Sequence, residues 1–296
     1  MATLVLVASC SSGGGPPSTA LTPGHASQRQ EASLPSAREE AAAAAAGKLY
    51  LVGGYDKSGR DTSDVFAYDG GWQSGPRLPV AVDHPSAAAW QGSLVVAGGF
   101  NGGRAIADVY RLTAERWERL PSLKHARGAL ALVEVNGTLY AIGGNGDGGN
   151  IAEAEVLDSA EASWRELPPL PGPRNHLAGF QHRGMACAAG GRSPNSSRVD
   201  CYDAGARAWK RLADLPRATS GAGAAAFGDV VLVAGGEGAE IIDQLAIYRD
   251  GRWRAENMLI PRHGIQLAKF GNRLWACGGG TSPGLHAVPD CTSIAL

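Results

Sequence analysis

The sequence predicts an all-β protein made of six repeated units, each with four short antiparallel strands. The first observation is a glycine pair that recurs six times, at intervals of 45, 45, 47, 45 and 43 residues. The second is a short apolar run before each pair, and the third is a lone tryptophan further along in five units. A fixed period of this length is typical of repeat architectures whose units must stack to bury their sheets. The glycine pairs are Gly53-Gly54, Gly98-Gly99, Gly143-Gly144, Gly190-Gly191, Gly235-Gly236 and Gly278-Gly279.

The predicted strands follow the same order in every unit. A small-residue segment such as Ala41 to Ala46 comes first, and we expect it to form the innermost strand. A turn such as Asn136-Gly137 leads into the apolar run, because Asn-Gly between apolar segments is a hairpin signal. The third strand often ends in an aromatic residue, and the fourth carries the tryptophan that packs between sheets. These tryptophans are Trp72, Trp117, Trp164, Trp209 and Trp253.

Composition and charge exclude several classes of protein. The chain has 296 residues, of which 44% are hydrophobic, so it can bury a sizeable core. Its net charge of -1 at pH 7 gives no electrostatic footprint for nucleic acid. No apolar run is long enough for a bilayer-spanning helix. We therefore exclude a DNA-binding protein and a polytopic membrane protein.

The repeated glycine pair, aromatic residue and tryptophan resemble the kelch repeat. That resemblance implies a six-bladed kelch β-propeller over residues 29–296, with four antiparallel strands per blade. After its glycine pair, the sixth unit has no tryptophan and no fourth strand of its own. We predict that residues near 29–34 supply this outer strand and so close the ring, which removes exposed sheet edges.

Four cysteines form two pairs with the same separation of 14 residues, Cys187 with Cys201 and Cys277 with Cys291. Each pair spans two strands that we expect to be antiparallel neighbours, which is close enough for a disulfide. An exported protein would permit both bonds. The alternative is four buried free thiols. No short Cys or His spacing indicates a metal site, and we expect neither a metal nor a cofactor.

The N-terminus resembles the end of a bacterial secretory signal with a lipobox, over residues 1–10. Small residues precede Cys10, which would then be acylated, and residues 11–28 have the composition of a flexible tether. The basic segment that normally starts a signal peptide is missing here. These features predict an exported, membrane-anchored lipoprotein on the periplasmic or extracellular face. The alternative is a chance apolar N-terminus on a cytoplasmic protein.

One set of basic residues recurs before the innermost strands, at the expected mouth of the central channel. Guanidinium groups there can hold a carboxylate or phosphate, which predicts a ligand site. The alternative is that these arginines only bond the carbonyl groups of nearby loops. The candidate residues are Arg38, Arg127, Arg174, Arg217, Arg262, His84, His176 and His263.

No catalytic motif stands out, so the primary prediction is a non-catalytic binding or scaffold module. The kelch resemblance implies a protein or glycan partner bound by propeller loops, outside a bacterial membrane, with the protein itself a monomer. The alternative is a carbohydrate-active enzyme that resembles sialic-acid mutarotases, with the arginines binding an anionic sugar. A copper enzyme like galactose oxidase is disfavoured, because it needs a free cysteine and further domains.

Overall fold

The computed structural model describes residues 25–160 and 163–296. Within these ranges all regular elements are β-strands, numbered β1 to β28. Twenty-four of them form six four-stranded antiparallel sheets, which are the blades of a propeller. The innermost strands contact one another in the order β2, β6, β12, β18, β22, β26 and back to β2, so the ring is closed. The predicted fold class is confirmed.

Blades 1 to 3 each use four strands that run in chain order from the axis outward. Blade 1 consists of β2 (Ala42–Ala46), β3 (Lys48–Val52), β4 (Val65–Tyr68) and β5 (Trp72–Ser74). Blade 2 consists of β6 (Ser86–Trp90), β7 (Ser93–Ala97), β10 (Val109–Thr113) and β11 (Arg116–Leu120). Blade 3 consists of β12 (Ala131–Val135), β13 (Thr138–Ile142), β16 (Ala154–Leu157) and β17 (Arg165–Leu167). Two small hairpins extend from blades 2 and 3, β8 (Phe100–Asn101) with β9 (Arg104–Ala105) and β14 (Asn145–Gly146) with β15 (Gly149–Asn150).

Blades 4 and 5 repeat this plan, and blade 6 departs from it. Blade 4 consists of β18 (Ala178–His182), β19 (Met185–Ala189), β20 (Val199–Asp203) and β21 (Ala208–Arg211). Blade 5 consists of β22 (Gly223–Phe227), β23 (Val230–Ala234), β24 (Gln244–Arg249) and β25 (Arg252–Asn257). Blade 6 consists of β26 (Leu267–Phe270), β27 (Arg273–Cys277), β28 (Cys291–Ala295) and β1 (Ser27–Glu31).

The N-terminal strand closes the ring as predicted. Strand β1 pairs antiparallel with β28, from Ser27 opposite Ala295 to Glu31 opposite Cys291. It begins two residues earlier than the predicted segment and ends at Glu31. The first and last segments of the chain therefore share one sheet, and the outer edge of blade 6 is covered.

The glycine pairs lie where neighbouring blades approach most closely. A Cβ on Gly98 would lie 2.3 Å from the carbonyl oxygen of Arg127 in the next blade. The N–H of the following glycine, Gly99, donates to this same carbonyl at 2.9 Å. Equivalent bonds of 2.7 to 2.9 Å occur at all six junctions. The repeat of glycine pairs thus reflects a backbone contact that leaves no room for a side chain.

The tryptophans of the outer strands add a second contact between blades. Each indole N–H donates to a backbone carbonyl about one repeat earlier, at 2.8 to 2.9 Å. Buried apolar side chains from facing blades fill the space between the sheets, as in the cluster that holds Trp90, Val95, Leu139 and Trp164. Each blade therefore depends on its neighbour for burial, as expected for stacked units.

Two disulfides cross neighbouring strands, Cys187–Cys201 in blade 4 and Cys277–Cys291 in blade 6. Both predicted pairings are confirmed. In each pair the two cysteines lie directly opposite each other in the strand register. Among the residues that the structure describes, no helix has the length and hydropathy needed to cross a membrane.

Candidate functional site

Six residues that precede the innermost strands form a closed circle around the axis. The backbone N–H of each donates to the carbonyl of its counterpart in the preceding blade, at 2.8 to 3.0 Å, and the last bond returns to the first blade. All six have left-handed backbone angles, with φ between 49° and 65°. This axial ring consists of Glu40, His84, Ala129, His176, Gly221 and Gly264.

A second set of residues surrounds the axial ring. In each blade, two further residues form a backbone bridge beside the ring. One of them comes directly before the ring residue, and the other comes directly after the glycine pair. The first members of these pairs are Glu39, Asp83, Gly128, Asn175, Ser220 and His263, and their partners are Tyr55, Phe100, Asn145, Arg192, Glu237 and Gly280. Three positions per repeat therefore lie around one end of the axis.

Seven of these residues line an axial pocket of about 360 Å³. Leu285, which is 41% exposed, lies at its rim. Below the pocket, the axial ring encloses a smaller cavity of about 30 Å³ that Gln266 also lines. The amide of Gln266 bonds Ser86 and the backbone N–H of Ala43, on the innermost strands of other blades. The pocket lining consists of Glu39, Glu40, Tyr55, His84, Arg192, Glu237, Gly238, His263, Gly284 and Leu285.

Two of the predicted histidines meet at the axis. The Nε2 atoms of His84 and His176 are 3.0 Å apart, although the residues come from blades 2 and 4. The Nδ1 atom of His84 contacts the Asp83 carboxylate, and that of His176 contacts the Asn175 side-chain oxygen. The Glu40 carboxylate lies 3.5 Å from His84 Nε2 and 3.8 Å from His176 Nε2.

The third predicted histidine, His263, lies at the same pocket among carboxylates. Its Nε2 atom is 3.1 Å from Glu39. Its Nδ1 atom has no hydrogen-bond partner among the residues that the structure describes, although the residue is only 3% exposed. This nitrogen lies 3.8 Å from the Glu40 carboxylate and 3.7 Å from that of Glu237. A buried nitrogen without a partner between two acids is a place where a bound polar group can be held.

Charges around the three histidines shift their pKa values in different directions. Burial lowers the pKa of His263, but a hydrogen bond that the imidazole donates to Glu39 and the charges of Glu40 and Glu237 outweigh it and raise the value to about 9. His84 shows the same balance: burial opposes protonation, while Glu40 and Asp83 raise its pKa. Burial and the neighbouring cations hold the pKa of His176 well below its usual range. The pocket therefore contains both charged and neutral imidazoles.

Four of the five predicted arginines are buried and are bonded to other groups of the protein. Arg127, fully buried, donates to the carbonyls of Gly143 and Glu153 and pairs with the buried Glu155 carboxylate. Arg174 bonds the Gly190 carbonyl and pairs with Asp200. The geometry favours the alternative, in which these arginines bond loop carbonyls and stabilise the blades.

Arg262 and Arg38 follow the same pattern. Arg262 is fully buried and bonds carbonyl groups and the Thr292 hydroxyl. Burial lowers its pKa to about 10. Arg38 pairs with Asp64 and bonds the Ala37 carbonyl. None of these four guanidinium groups lines the axial pocket. Ligand binding by the arginines therefore stays a prediction, and the geometry does not favour it.

Arg217 does not occupy the equivalent position. Thr219 does, since its hydroxyl bonds the carbonyl of Gly235, as Arg127 and Arg174 bond their own glycine pairs. Arg217 lies two residues earlier, its side chain is 52% exposed, and its nearest acid, Asp243, is 3.9 Å away. Grouping it with the other arginines was wrong, because its spacing from the glycine pair is 18 residues, whereas theirs is 15 or 16.

Several pocket residues were missed by the sequence analysis: Glu39, Glu40, Tyr55, Arg192 and Glu237. Arg192 donates to the Nε2 atom of His176 at 2.6 Å and pairs with Glu237. A signal for Tyr55, Arg192 and Glu237 was present, because each immediately follows a glycine pair. Comparing that single position across the six repeats would have found them.

Two groups of side chains within the described residues have the composition and spacing of metal ligands. One consists of Glu40, His84 and His176, and the other of Glu39, Glu40 and His263. Both lie at the axial pocket. A larger open cleft of about 590 Å³ lies near the start of blade 1, but its Arg38 and Asp64 pair with each other. We therefore place the candidate site at the axis, where side chains from several blades converge.

The lipidation candidate Cys10, the predicted signal segment 1–10 and most of the predicted tether 11–28 lie outside the described residues. The described part of that tether includes the start of strand β1 at Ser27.

Comparisons with known proteins agree with this architecture. The family model described as the Kelch motif matches residues 41–78 and 126–171. The chain is 25% identical to Kelch-like protein terF of Aspergillus terreus, over 85% of this chain and 63% of that protein. It is 27% identical to Beta-scruin of Limulus polyphemus, over 81% of this chain and 30% of that protein. The chain thus spans less than two thirds of the length of these relatives.

A solved structure titled "Structure of YjhT" has the same fold. It superposes with a TM-score of 0.75 and 16% sequence identity, and covers 89% of this chain and 96% of that one. At this identity the likeness concerns the fold alone.

Proposed function

Because this chain is a β-propeller built from kelch repeats, we propose that it is a non-catalytic binding module for a protein or glycan partner. The partner contacts the face that carries the axial pocket, and a polar group of the partner enters the pocket. Propellers commonly use loops at one end of a rigid ring for recognition, since the ring holds the loops in fixed positions.

The observation that carries this proposal is the unpartnered Nδ1 atom of His263. It is buried between Glu40 and Glu237 at the wall of a 360 Å³ pocket. A buried polar atom without a hydrogen bond is costly, and an incoming hydroxyl or amide group can satisfy it. Arg192 and Glu237 add a donor and acceptors nearby, and the volume lies within the usual range of ligand pockets.

The rim of the pocket supports contact with a larger partner. Among the described residues, Leu259 and Leu285 are the two large apolar side chains that are exposed, and Leu285 borders the pocket. An apolar rim beside a polar pocket suits a partner that covers the face while one polar group enters.

Photo-crosslinking on the full chain tests which face binds. In the test variant, a photoreactive amino acid replaces Leu285 at the pocket. In the control variant it replaces Asp229, in the turn between β22 and β23 at the end of blade 5 that lies away from the pocket. We expect a discrete adduct from position 285, its loss on adding Glu237→Gln, and none from position 229. Adducts from position 229 alone, or adducts that persist with Glu237→Gln, would contradict the proposal.

A glycan array distinguishes the two partner classes. Labelled full-length protein is applied with Glu237→Gln in parallel. Binding to defined glycans that the substitution abolishes identifies a glycan partner, whereas an empty array together with an adduct at position 285 identifies a protein partner.

A second candidate is an enzyme that acts on an anionic sugar, as in the resemblance to sialic-acid mutarotases. The observation that favours it is Arg192, which lines the pocket and can bind a carboxylate. Polarimetry on freshly dissolved N-acetylneuraminate tests it. Acceleration of mutarotation that Arg192→Gln removes would support the enzyme, and a rate equal to that without protein would reject it.

We also propose that the protein is a monomer exported and anchored by a lipid on Cys10. The two disulfides support export, because such bonds persist in oxidising compartments. Metabolic labelling with an alkyne fatty acid tests the anchor. Label on the wild-type chain that Cys10→Ser abolishes is expected, and an unlabelled wild-type chain would contradict it.

A further inference from the structure

The two axial histidines face each other through their Nε2 atoms, the position at which a neutral imidazole can accept a proton or a metal ion. In His84 and His176 the Nδ1 atom contacts an oxygen, of Asp83 and Asn175 respectively, and this places the ring proton on Nδ1. The Nε2 lone pairs then point into one space at a separation of 3.0 Å. Two lone pairs at this distance repel each other unless a cation or a proton lies between them.

We propose that Glu40, His84 and His176 form a binding site for a divalent transition-metal ion, with Zn²⁺ as its probe. Two imidazoles and one carboxylate are a ligand set that zinc accepts, with an open fourth position. On a tetrahedral ion with bonds of about 2.1 Å, neighbouring donor atoms lie about 3.4 Å apart. The two Nε2 atoms are 3.0 Å apart, one oxygen of Glu40 lies 3.5 Å from His84 Nε2, and its other oxygen lies 3.8 Å from His176 Nε2. Small side-chain rotations therefore bring both nitrogens and one carboxylate oxygen onto one ion.

The groups behind the ligands hold them in this orientation. Asp83 is 1% exposed and sits behind His84, and the Tyr55 hydroxyl also bonds this carboxylate. Asn175 is held behind His176 by its bond to Asn150. Such outer partners fix the tautomer and direction of a metal-binding imidazole, and replacing them typically weakens binding. The axial ring of backbone hydrogen bonds fixes the three Cα positions.

Arg192 occupies part of this space in the structure. Its guanidinium donates to the Nε2 atom of His176 at 2.6 Å and also pairs with Glu237. Its side chain is 35% exposed, so the guanidinium group can move away from His176 into the axial pocket when an ion enters. Arg192 therefore competes with the metal, and removing it should strengthen metal binding.

The small cavity inside the axial ring has space for the ion and its remaining ligand. It measures about 30 Å³, and all three proposed ligands line it. The remaining coordination position is available to water or to a donor group of a partner. The metal site goes beyond the proposed partner binding and does not depend on it.

Zinc titration by calorimetry, and cobalt absorption, test the site on the full chain after dialysis against a chelator. We expect one ion per chain, with the intense visible bands of tetrahedral Co²⁺. His84→Ala and His176→Ala should each weaken zinc binding by at least about 10-fold, and Asp83→Asn by about 10- to 100-fold. Arg192→Gln should bind zinc more tightly than the wild type.

Matched variants separate the site from folding and from surface histidines. Ala129 occupies the equivalent position of the axial ring with φ of 52°, so alanine is compatible with the backbone at positions 84 and 176. His125 is 39% exposed and lies away from the axis beside Glu166, so His125→Ala should bind zinc like the wild type.

Three results would overturn the proposal: no zinc bound by the wild type, zinc affinity unchanged in both His84→Ala and His176→Ala, or affinity lost in His125→Ala. None of them affects the crosslinking result at position 285. The metal site and the partner-binding face can therefore fail separately.

Discussion

The backbone N–H of Gly279 donates to the carbonyl oxygen of Arg38 at 2.7 Å, which joins the sixth blade to the first. The same carbonyl would lie 2.6 Å from a Cβ placed on the preceding residue, Gly278. The hydrogen bond and the absence of a side chain are therefore two aspects of one close contact, at the junction where the last blade meets the first.

Gly278→Ala should destabilise the protein more than the backbone angle alone requires. Gly278 and Gly271 both have positive φ, 69° and 61°, but a Cβ on Gly271 would have no neighbour within 4 Å. Gly271→Ala should cost about 1–2 kcal/mol through its left-handed backbone. Gly278→Ala should cost a further ~1–3 kcal/mol from overpacking. Urea unfolding measures the free energy of unfolding of both variants. Equal losses in the two variants would contradict the close-contact explanation.

The closing strand should weaken in acid through Glu31. A hydrogen bond from Ser293 and the nearby Arg29 outweigh the effect of burial and lower the pKa of Glu31 below 4.5. A carboxylate with a lowered pKa stabilises the folded state above its unfolded pKa, and this contribution is lost as pH falls through the folded value. Glu31→Gln should therefore reduce stability at pH 7 and make stability less dependent on pH below about 4.5.

The exposed Glu166, with 61% of its side chain accessible, provides the control. Thermal melts from pH 7 to pH 3 should show Glu166→Gln following the wild type. Parallel curves for Glu31→Gln and the wild type across this range would show that Glu31 does not contribute to closure.

Arg127→Ala should reduce stability strongly, whereas Arg217→Ala should leave it almost unchanged. Arg127 forms a fully buried pair with Glu155, and removing one partner of such a pair typically costs about 3–5 kcal/mol. Arg217 is 52% exposed, and its loss should change stability by less than about 0.5 kcal/mol. Denaturant midpoints measure the difference. An Arg127→Ala variant as stable as the wild type would contradict the structural role of this arginine.

The blades could be predicted from the sequence because each depends on a local feature that recurs at a fixed spacing. A glycine pair such as Gly98-Gly99 marks the contact with the next blade. The missing tryptophan of the last unit showed that another segment must complete it. Strand β1 does so, only two residues away from the predicted start.

The pocket was harder to predict, because its residues share a position in the repeat and not a residue type. His84, Ala129 and Gly264 have equivalent places in the axial ring and no common chemistry. The arginines did share a type, but their role depends on acids of other strands, such as Glu155, which spacing alone does not locate. Residue types that recur at a fixed spacing therefore predicted the propeller blades, whereas the pocket lies at positions where the repeats carry different residue types.

The disulfide of blade 4 should stabilise the protein mainly by restricting the unfolded chain. Cys187 and Cys201 are directly opposite on β19 and β20, and a loop of about 15 residues between cysteines corresponds to about 3 kcal/mol. The double variant Cys187→Ala with Cys201→Ala should lose about this much free energy of unfolding. Its matched counterpart, Cys277→Ala with Cys291→Ala, should lose a similar amount, since the separation of 14 residues is the same. Non-reducing peptide mapping of the purified wild type should show both pairs linked. Four thiols reactive after denaturation without a reductant would mean that the bonds do not form, and export would then lose its structural support.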